Sequence, residues 1–255
     1  MPYKLKDRSV LITGGSRGLG AVIARHFASQ GSNIAINYLH SAGAAEKLAV
    51  EIRGMGVQAC VIQADCGKIA DCEKCVEETI KVFGCLDIII GNAGWTKFSD
   101  FGDLNALSEE DWDKCWAVNV KGNLALLRKA LPAFNSNPEG GCFIMTSSIA
   151  GTSTAGSSMA YSVTKCAQLH LMKCLAQTQG QKIRVNAVLP GLLLTEWGKK
   201  YPGEQIAALK ERSVLKMETD LDDCADAFVM IAKNTSMTGQ KIAVDAGLMV
   251  SAMSN

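Results

Sequence analysis

Seven short runs of apolar and β-branched residues punctuate this chain: "SVLIT" (9–13), "NIAINY" (33–38), "VQACVIQ" (57–63), "LDIIIG" (86–91), "CFIMTS" (142–147), "IRVNAVL" (183–189) and "KIAVD" (241–245). Between them lie longer segments whose apolar residues recur at helical spacing, such as Val22, Ile23 and Phe27, or Leu124, Leu127 and Leu131. Strands that are apolar along their whole length must be covered on both sides, and alternation with helices supplies that cover. The expectation is an α/β protein with a doubly wound parallel sheet of seven strands. No Pro/Gly/Ser-rich linker, low-complexity tract or internal repeat interrupts the pattern, so residues 1–255 are expected to form one domain.

Charge narrows the partners. With 26 basic and 25 acidic residues and no long run of either sign, the chain has no footprint for nucleic acid or an anionic membrane. The apolar runs are shorter than a membrane span. The first residues pass directly into a strand without the apolar core and cleavage site of an export signal, so a cytoplasmic location with reduced thiols is expected for the ten cysteines. Cys72 and Cys75 form a CxxC, but inside an amphipathic helical pattern and with no second pair at zinc spacing; no metal site is expected.

Directly after the first strand comes "TGGSRGLGAVIARHFASQG", with Gly14, Gly18 and Gly20 ahead of a helical pattern. Glycines there allow a tight turn and a close approach of backbone to a pyrophosphate. The amides and positive dipole end of the following helix then face the phosphates. Such a turn after an N-terminal strand points to dinucleotide binding in a Rossmann fold.

Further along, "MAYSVTKCAQL" (159–169) places Lys165 four residues after Tyr161. On a helix the two share a face. A nearby ammonium favours phenolate and makes a tyrosine a usable proton donor near neutrality; the same spacing also occurs on solvated helix faces with no chemistry attached.

The glycine spacing GxxxGxG, "NAG" at 92–94, "NVKG" at 119–122, Ser148 thirteen residues before Tyr161, "YSVTK", "PGLLLT" at 190–195 and "TGQKIAVDAG" at 238–247 together resemble the short-chain dehydrogenase/reductase family over essentially the whole chain. The resemblance implies a catalytic set of Asn119, Ser148, Tyr161 and Lys165. Tyr161 would act as general acid and base toward a carbonyl or alcohol, and Ser148 would bond the substrate oxygen. Lys165 would lower the phenol pKa and hold the nicotinamide ribose, and Asn119 would help position a water relay from the lysine. Ser147 is an adjacent hydroxyl, but neighbours in a strand face opposite ways, and the family spacing selects Ser148.

For the cofactor, the resemblance implies contacts from Gly14, Ser16, Arg17, Gly18, Leu19 and Gly20 in the turn, from Asp65 and Cys66 near the adenine, and from Asn92, Ala93 and Gly94 on the adenosine side. Tyr161 and Lys165, with Pro190, Gly191 and Thr195, are implied near the nicotinamide and phosphates. Asp65 has an alternative reading as the cap of the next helix. An NAD-binding site of this kind carries an acid about twenty positions after the turn, yet no Asp or Glu occurs from Ala21 through Ala45. The end of the second strand offers Asn37, Tyr38, His40 and Ser41 instead, and Arg17 adds positive charge, so charge complementarity favours NADP(H). His40 also reads as an ordinary solvent-exposed loop residue.

Residues 192–215 are expected to form a lid over the substrate. Trp197 and Tyr201 in it, with Trp95, Phe98 and Met159, suggest an apolar, aromatic or polyketide-like carbonyl compound; the aromatic residues would equally serve to pack the lid on the body. A 3-oxoacyl-[acyl-carrier-protein] reductase shares nearly every motif, with Lys199, Lys200, Lys210 and Arg212 as candidate contacts to the carrier. A non-catalytic NADP-binding sensor or scaffold is the third reading. Two long helices, roughly 107–133 and 157–179, match those through which relatives form dimers and tetramers.

Overall fold

The computed structural model describes residues 3–252. Its sheet contains β1 (Ser9–Ile12), β2 (Asn33–Tyr38), β3 (Ala59–Gln63), β4 (Ile88–Gly91), β5 (Gly141–Thr146), β6 (Ile183–Pro190) and β7 (Lys241–Val244). The spatial order is β3-β2-β1-β4-β5-β6-β7, and each adjacent pair is parallel. The expected seven-stranded doubly wound sheet is therefore present. Each expected strand is found within a residue or two of its predicted limits, because burial on both faces writes the strands as unbroken apolar runs.

Alternation along each strand divides the core in two. Val10, Ile12, Ile88 and Ile90 point to one face, where they meet α1 (Gly18–Ser29), α2 (Ala42–Gly54) and α8 (Leu221–Lys233). Leu11 and Ile89 point to the other, packing against α3 (Ile69–Phe83), α5 (Gly122–Ser136) and α6 (Met159–Gln179). Cys72 and Cys75 are fully buried on that second face. Among the described residues no helix is long and apolar enough to cross a membrane.

The connection reverses direction at β1: the chain winds outward through β2 and β3, then returns to place β4 on the opposite side of β1. The carboxyl ends of the strands flanking such a switch point are where open α/β sheets bind ligands in a crevice.

The long helix expected near 107–133 is a composite. Ser108 caps α4 (Glu109–Trp116) with a reciprocal box to Asp111. A π-helical turn, Ala117–Lys121, then leads into α5. Hydrophobic periodicity does not encode such a turn, and single-turn π segments often sit at functional positions.

Away from the crevice, α1 and α8 are joined by His26, whose ring nitrogens lie 2.8 Å from Asp226 and 2.8 Å from Asp222. Burial opposes the imidazolium, yet the two carboxylates outweigh it and raise the pKa above the usual histidine value. A raised folded-state pKa stabilises fully below the unfolded value of about 6.5 and is lost as pH climbs through the folded value. The aspartates are largely exposed, so the contribution is at most about 1 kcal/mol. Thermal melts should show the parent losing its advantage over His26→Gln as pH rises above the unfolded histidine value of about 6.5; a gap that does not change with pH would mean the ion pairs add nothing.

Candidate active site

The site starts at the β1–α1 turn. Gly14 and Gly18 have φ of +60° and +53°, a region that strains residues with a Cβ. A Cβ on Gly20 would lie 2.4 Å from the Gly14 carbonyl, so the first turn of α1 closes tightly on the preceding loop. Arg17 is the N-cap, in extended conformation and without a side-chain cap bond. The amides of Gly18, Leu19 and Gly20 are consequently the free donors of this helix end. The Leu19 side chain is buried in the core, and that of Ser16 is nearly enclosed, which restricts Leu19 to backbone contact with any ligand.

Asn92, expected on the adenosine side, is spent inside the protein. Its amide donates to the carbonyls of Thr13 (3.0 Å) and Gly14 (3.2 Å), and its oxygen accepts from Thr146 (3.2 Å). Thr13 in turn accepts from the amides of Asn92 and Ala93, each at 3.0 Å. The segment after β4 is thus fastened to the glycine turn, and Gly94 faces the crevice: a Cβ there would sit within 3.6 to 3.8 Å of Asn119, Lys165 and Trp197.

Asn37 corrects the sequence expectation. It is 2% exposed, accepts from the Gly14 amide at 3.0 Å and from the Cys66 thiol at 3.3 Å, and donates to the carbonyls of Ile62 and Ala64. A side chain so saturated has nothing left for a phosphate; it locks β2, β3 and the glycine turn together. Tyr38 packs on the core beside it. His40 is exposed, and Ser41, like Tyr38, is half-buried. The Cys66 thiol is likewise turned inward. Asp65 does not cap α3, whose N-cap is Lys68; its carboxylate accepts from the Gly67 amide at 2.9 Å while its own amide donates to Asp71.

On the opposite wall, Ser158 caps α6 by accepting from the Tyr161 amide at 3.2 Å. The cap fixes the tyrosine in the first turn of the helix, and Lys165 follows one turn on, its Nζ 5.5 Å from the Tyr161 ring centre. Lys165 is 2% exposed and donates to the Thr146 carbonyl at 2.7 Å and to Gln168 at 3.4 Å. Ser148, half-buried, accepts from the Ala150 amide at 3.1 Å. Ser147 faces the other way, buried, donating to the Lys165 carbonyl.

Burial governs the protonation states here. It raises the Tyr161 phenol above its usual value, with hydrogen bonding to Ser148 pulling the other way. Burial also pushes Lys165 down to about 7, which the Cys115 thiolate form would oppose. Burial thus favours the neutral form of each group.

Asn119 lies in the π turn. Its side-chain oxygen accepts from the Trp95 amide at 2.9 Å, and its nitrogen donates to the Trp95 carbonyl and to Thr164, each at 3.0 Å. The carboxamide thereby ties the segment after β4 to α6. Its backbone carbonyl accepts from Asn123 at 2.9 Å.

The segment after β6 approaches the site. Thr195 lies against Gly18, 3.3 Å from where a Cβ would be, and Arg17 pairs with Glu196. The Trp197 ring centre is 5.6 Å from that of Tyr161, and Tyr201 meets Phe98 edge-on at 4.9 Å. Beyond a 3₁₀ turn, Gly198–Lys200, α7 (Gly203–Arg212) has no buried residue. Gly191 is pressed against Asp245 and Thr219, a Cβ there falling 2.7 Å from each; Pro190 ends β6. Thr13, Thr146, Gln168 and Glu196 were missed by sequence reasoning. Gln168 alone had a local signal, its i,i+3 spacing from Lys165.

A parallel sheet with a glycine turn at its switch point, facing a phenol and an ammonium on one helix, defines a nucleotide-dependent oxidoreductase. The sequence profile of the family described as Enoyl-(Acyl carrier protein) reductase matches residues 14–249. A short-chain dehydrogenase/reductase of Pestalotiopsis microspora is 35% identical, covering 97% of each chain. The 3-oxoacyl-[acyl-carrier-protein] reductase FabG of Staphylococcus epidermidis is 30% identical over 95% of this chain and 99% of its own. The crystal structure of a short chain dehydrogenase from Burkholderia cenocepacia in complex with NADP superposes with a TM-score of 0.89 at 29% identity, covering 97% of this chain and all of that one. The chain belongs to the short-chain dehydrogenase/reductase family of oxidoreductases.

Proposed function

We propose that this protein is an NADP(H)-dependent reductase of carbonyl groups, able to run in reverse on secondary alcohols, with an apolar, aromatic or polyketide-like substrate. The observation that carries the reading is the meeting of Tyr161, Lys165 and Ser148 beside Gly94, under a glycine turn whose helix amides are free. The residues fit the dinucleotide: Gly14, Gly18, Gly20 and Gly94 leave room at the backbone, and the corner beyond β2 holds Arg17, His40 and Ser41 with no carboxylate from Ala21 through Ala45. NADPH, when bound, supplies the hydride. Tyr161 gives its phenolic proton to the carbonyl oxygen as charge builds there, and its high pKa keeps that proton in place until then. Ser148 donates a second hydrogen bond to the same oxygen. Lys165 holds ribose hydroxyls and, when charged, stabilises the tyrosinate left behind. Asn92, Asn119 and Asn37 act one step back, as the ties that set the positions of Gly94, Trp95 and the glycine turn.

Residues 192–215 serve as the lid of one domain that spans the chain. The rings of Trp197, Phe98 and Tyr201 give that lid an aromatic underside, which favours apolar ring-bearing ketones over sugars. Activity on a 3-oxoacyl thioester is the second reading, supported by the FabG relative and by exposed Lys199, Lys200 and Arg212 on the lid. A non-catalytic NADP-binding sensor or scaffold is less favoured, since a binder has no chemical need of a phenol beside an ammonium. A cytoplasmic location and assembly as a dimer or tetramer through α5 and α6 belong to the same reading.

The test is titration of the protein with NADPH and NADH, followed by a screen of aryl ketones and 3-oxoacyl thioesters for loss of reduced-nicotinamide absorbance. Turnover of aryl ketones with NADPH supports the reading; turnover restricted to carrier-bound thioesters selects the alternative, and tight binding with no turnover on either class favours the sensor. Trp197→Ala should raise KM for an aryl ketone by about 2- to 10-fold, the worth of one ring contact, with little change for an aliphatic one. Equal effects on both would mean Trp197 only packs the lid.

A further inference from the structure

Gln168 is fully buried on the inner side of α6, next to the core residues Leu169 and Met172. An apolar side chain would suit such a position. Among the described residues the amide nitrogen of Gln168 has no hydrogen-bond partner, and an unpaired buried amide is destabilising. Its oxygen, by contrast, is aimed at one group, accepting from Lys165 Nζ at 3.4 Å. The other acceptor of that ammonium is the Thr146 carbonyl at 2.7 Å. Two of three N–H donors are so engaged, and the third remains for the side where Gly94 lies, a Cβ there coming within 3.7 Å of Nζ.

Resting on the cofactor reading above, we propose that Gln168 is a positioning residue that anchors the Lys165 ammonium and extends the pH range over which it is charged and able to hold the nucleotide. The titratable groups around Lys165 are Tyr161 on its own helix and Cys115 on α4. The remaining neighbours, Thr146 on β5, Ser147 after it, Asn119 in the π turn, and Gly94 and Trp197 across the crevice, are neutral. Burial raises the Cys115 thiol to about 11 and Tyr161 higher still, so neither carries charge at neutral pH. Lys165 therefore has no anion to offset its desolvation, and the two carbonyl dipoles, from Thr146 and Gln168, are what stabilise its charge.

The experiment is the NADPH dissociation constant, followed by fluorescence from about pH 6 to 9.5, in the parent, Gln168→Leu and Gln168→Glu. Affinity should weaken with rising pH as Lys165 loses its proton. The midpoint should move down by about half a pH unit or more in Gln168→Leu, and up by about one unit or more in Gln168→Glu, where a carboxylate replaces the dipole. Melting curves identify any variant that does not fold; Gln168→Asn, whose shorter side chain withdraws the carbonyl, then replaces Gln168→Leu and should move the midpoint the same way. Affinity reduced equally at every pH, with the midpoint unmoved, would overturn the proposal and leave Gln168 a packing residue. A parent chain that does not bind NADPH would overturn the cofactor reading itself.

Discussion

Tyr161→Phe should reduce kcat by about a thousandfold or more while changing the NADPH dissociation constant by less than about twofold. A positioned general acid contributes about 10²- to 10⁴-fold, and the upper part of that range applies because the phenol is the one group at the site that can hand over a proton near neutrality without first acquiring one. Burial keeps it protonated, Ser148 carries an aliphatic hydroxyl that donates a hydrogen bond but does not ionise near neutrality, and Lys165, pushed down to about 7, is divided between two protonation states at that pH. The substitution removes one oxygen and leaves the ring against Trp197. The cap from Ser158 is made to the backbone amide and persists. Stopped-flow turnover beside fluorescence titration separates the two effects. Turnover within about tenfold of the parent would move the proton donor elsewhere.

Legibility from sequence divides along a physical line. The sheet was readable because the inner strands β1, β2, β4, β5 and β6 are buried on two faces, and two-sided burial leaves few polar positions to blur the pattern; the edge strands β3 and β7 are partly exposed and read instead from their β-branched and apolar residues. Tyr161 and Lys165 were readable because a helix puts i and i+4 on one side. The orientation of Asn37 was open to the same kind of argument: strand alternation puts it on the side of Ala35, in the second core, whereas Tyr38 follows Ile36 into the first.

Other features depend on contacts that local sequence does not carry. Glu196 meets Arg17 across 179 positions. The π turn that turns Asn119 inward arises where α4 passes into α5, and nothing in the apolar spacing marks it. The inverted order of influences on Tyr161 and Lys165 has the same origin. Their spacing predicts attraction, but the largest influence on each is desolvation, which depends on how the rest of the chain packs around them.

Arg17→Ala should weaken NADPH binding by about 10- to 100-fold and leave NADH binding within about threefold. A charge-assisted hydrogen bond to a phosphate is worth about 1.5 to 3 kcal/mol, which corresponds to that range. Three observations support the proposal that this side chain takes the 2′-phosphate rather than the pyrophosphate. Arg17 is the N-cap of α1, and the backbone amides that follow it would serve a pyrophosphate. The guanidinium is 61% exposed. Asn37, at the end of β2, is committed to the protein interior, which leaves Tyr38, His40 and Ser41 as the remaining groups there. Glu196 competes for the same guanidinium, so Glu196→Gln should tighten NADPH binding by about two- to fivefold, in line with the small worth of an exposed ion pair. The gain should shrink in high salt, where screening already weakens that pair. An equal loss of NADPH and NADH affinity in Arg17→Ala would instead put the guanidinium on the pyrophosphate and return cofactor choice to His40 and Ser41.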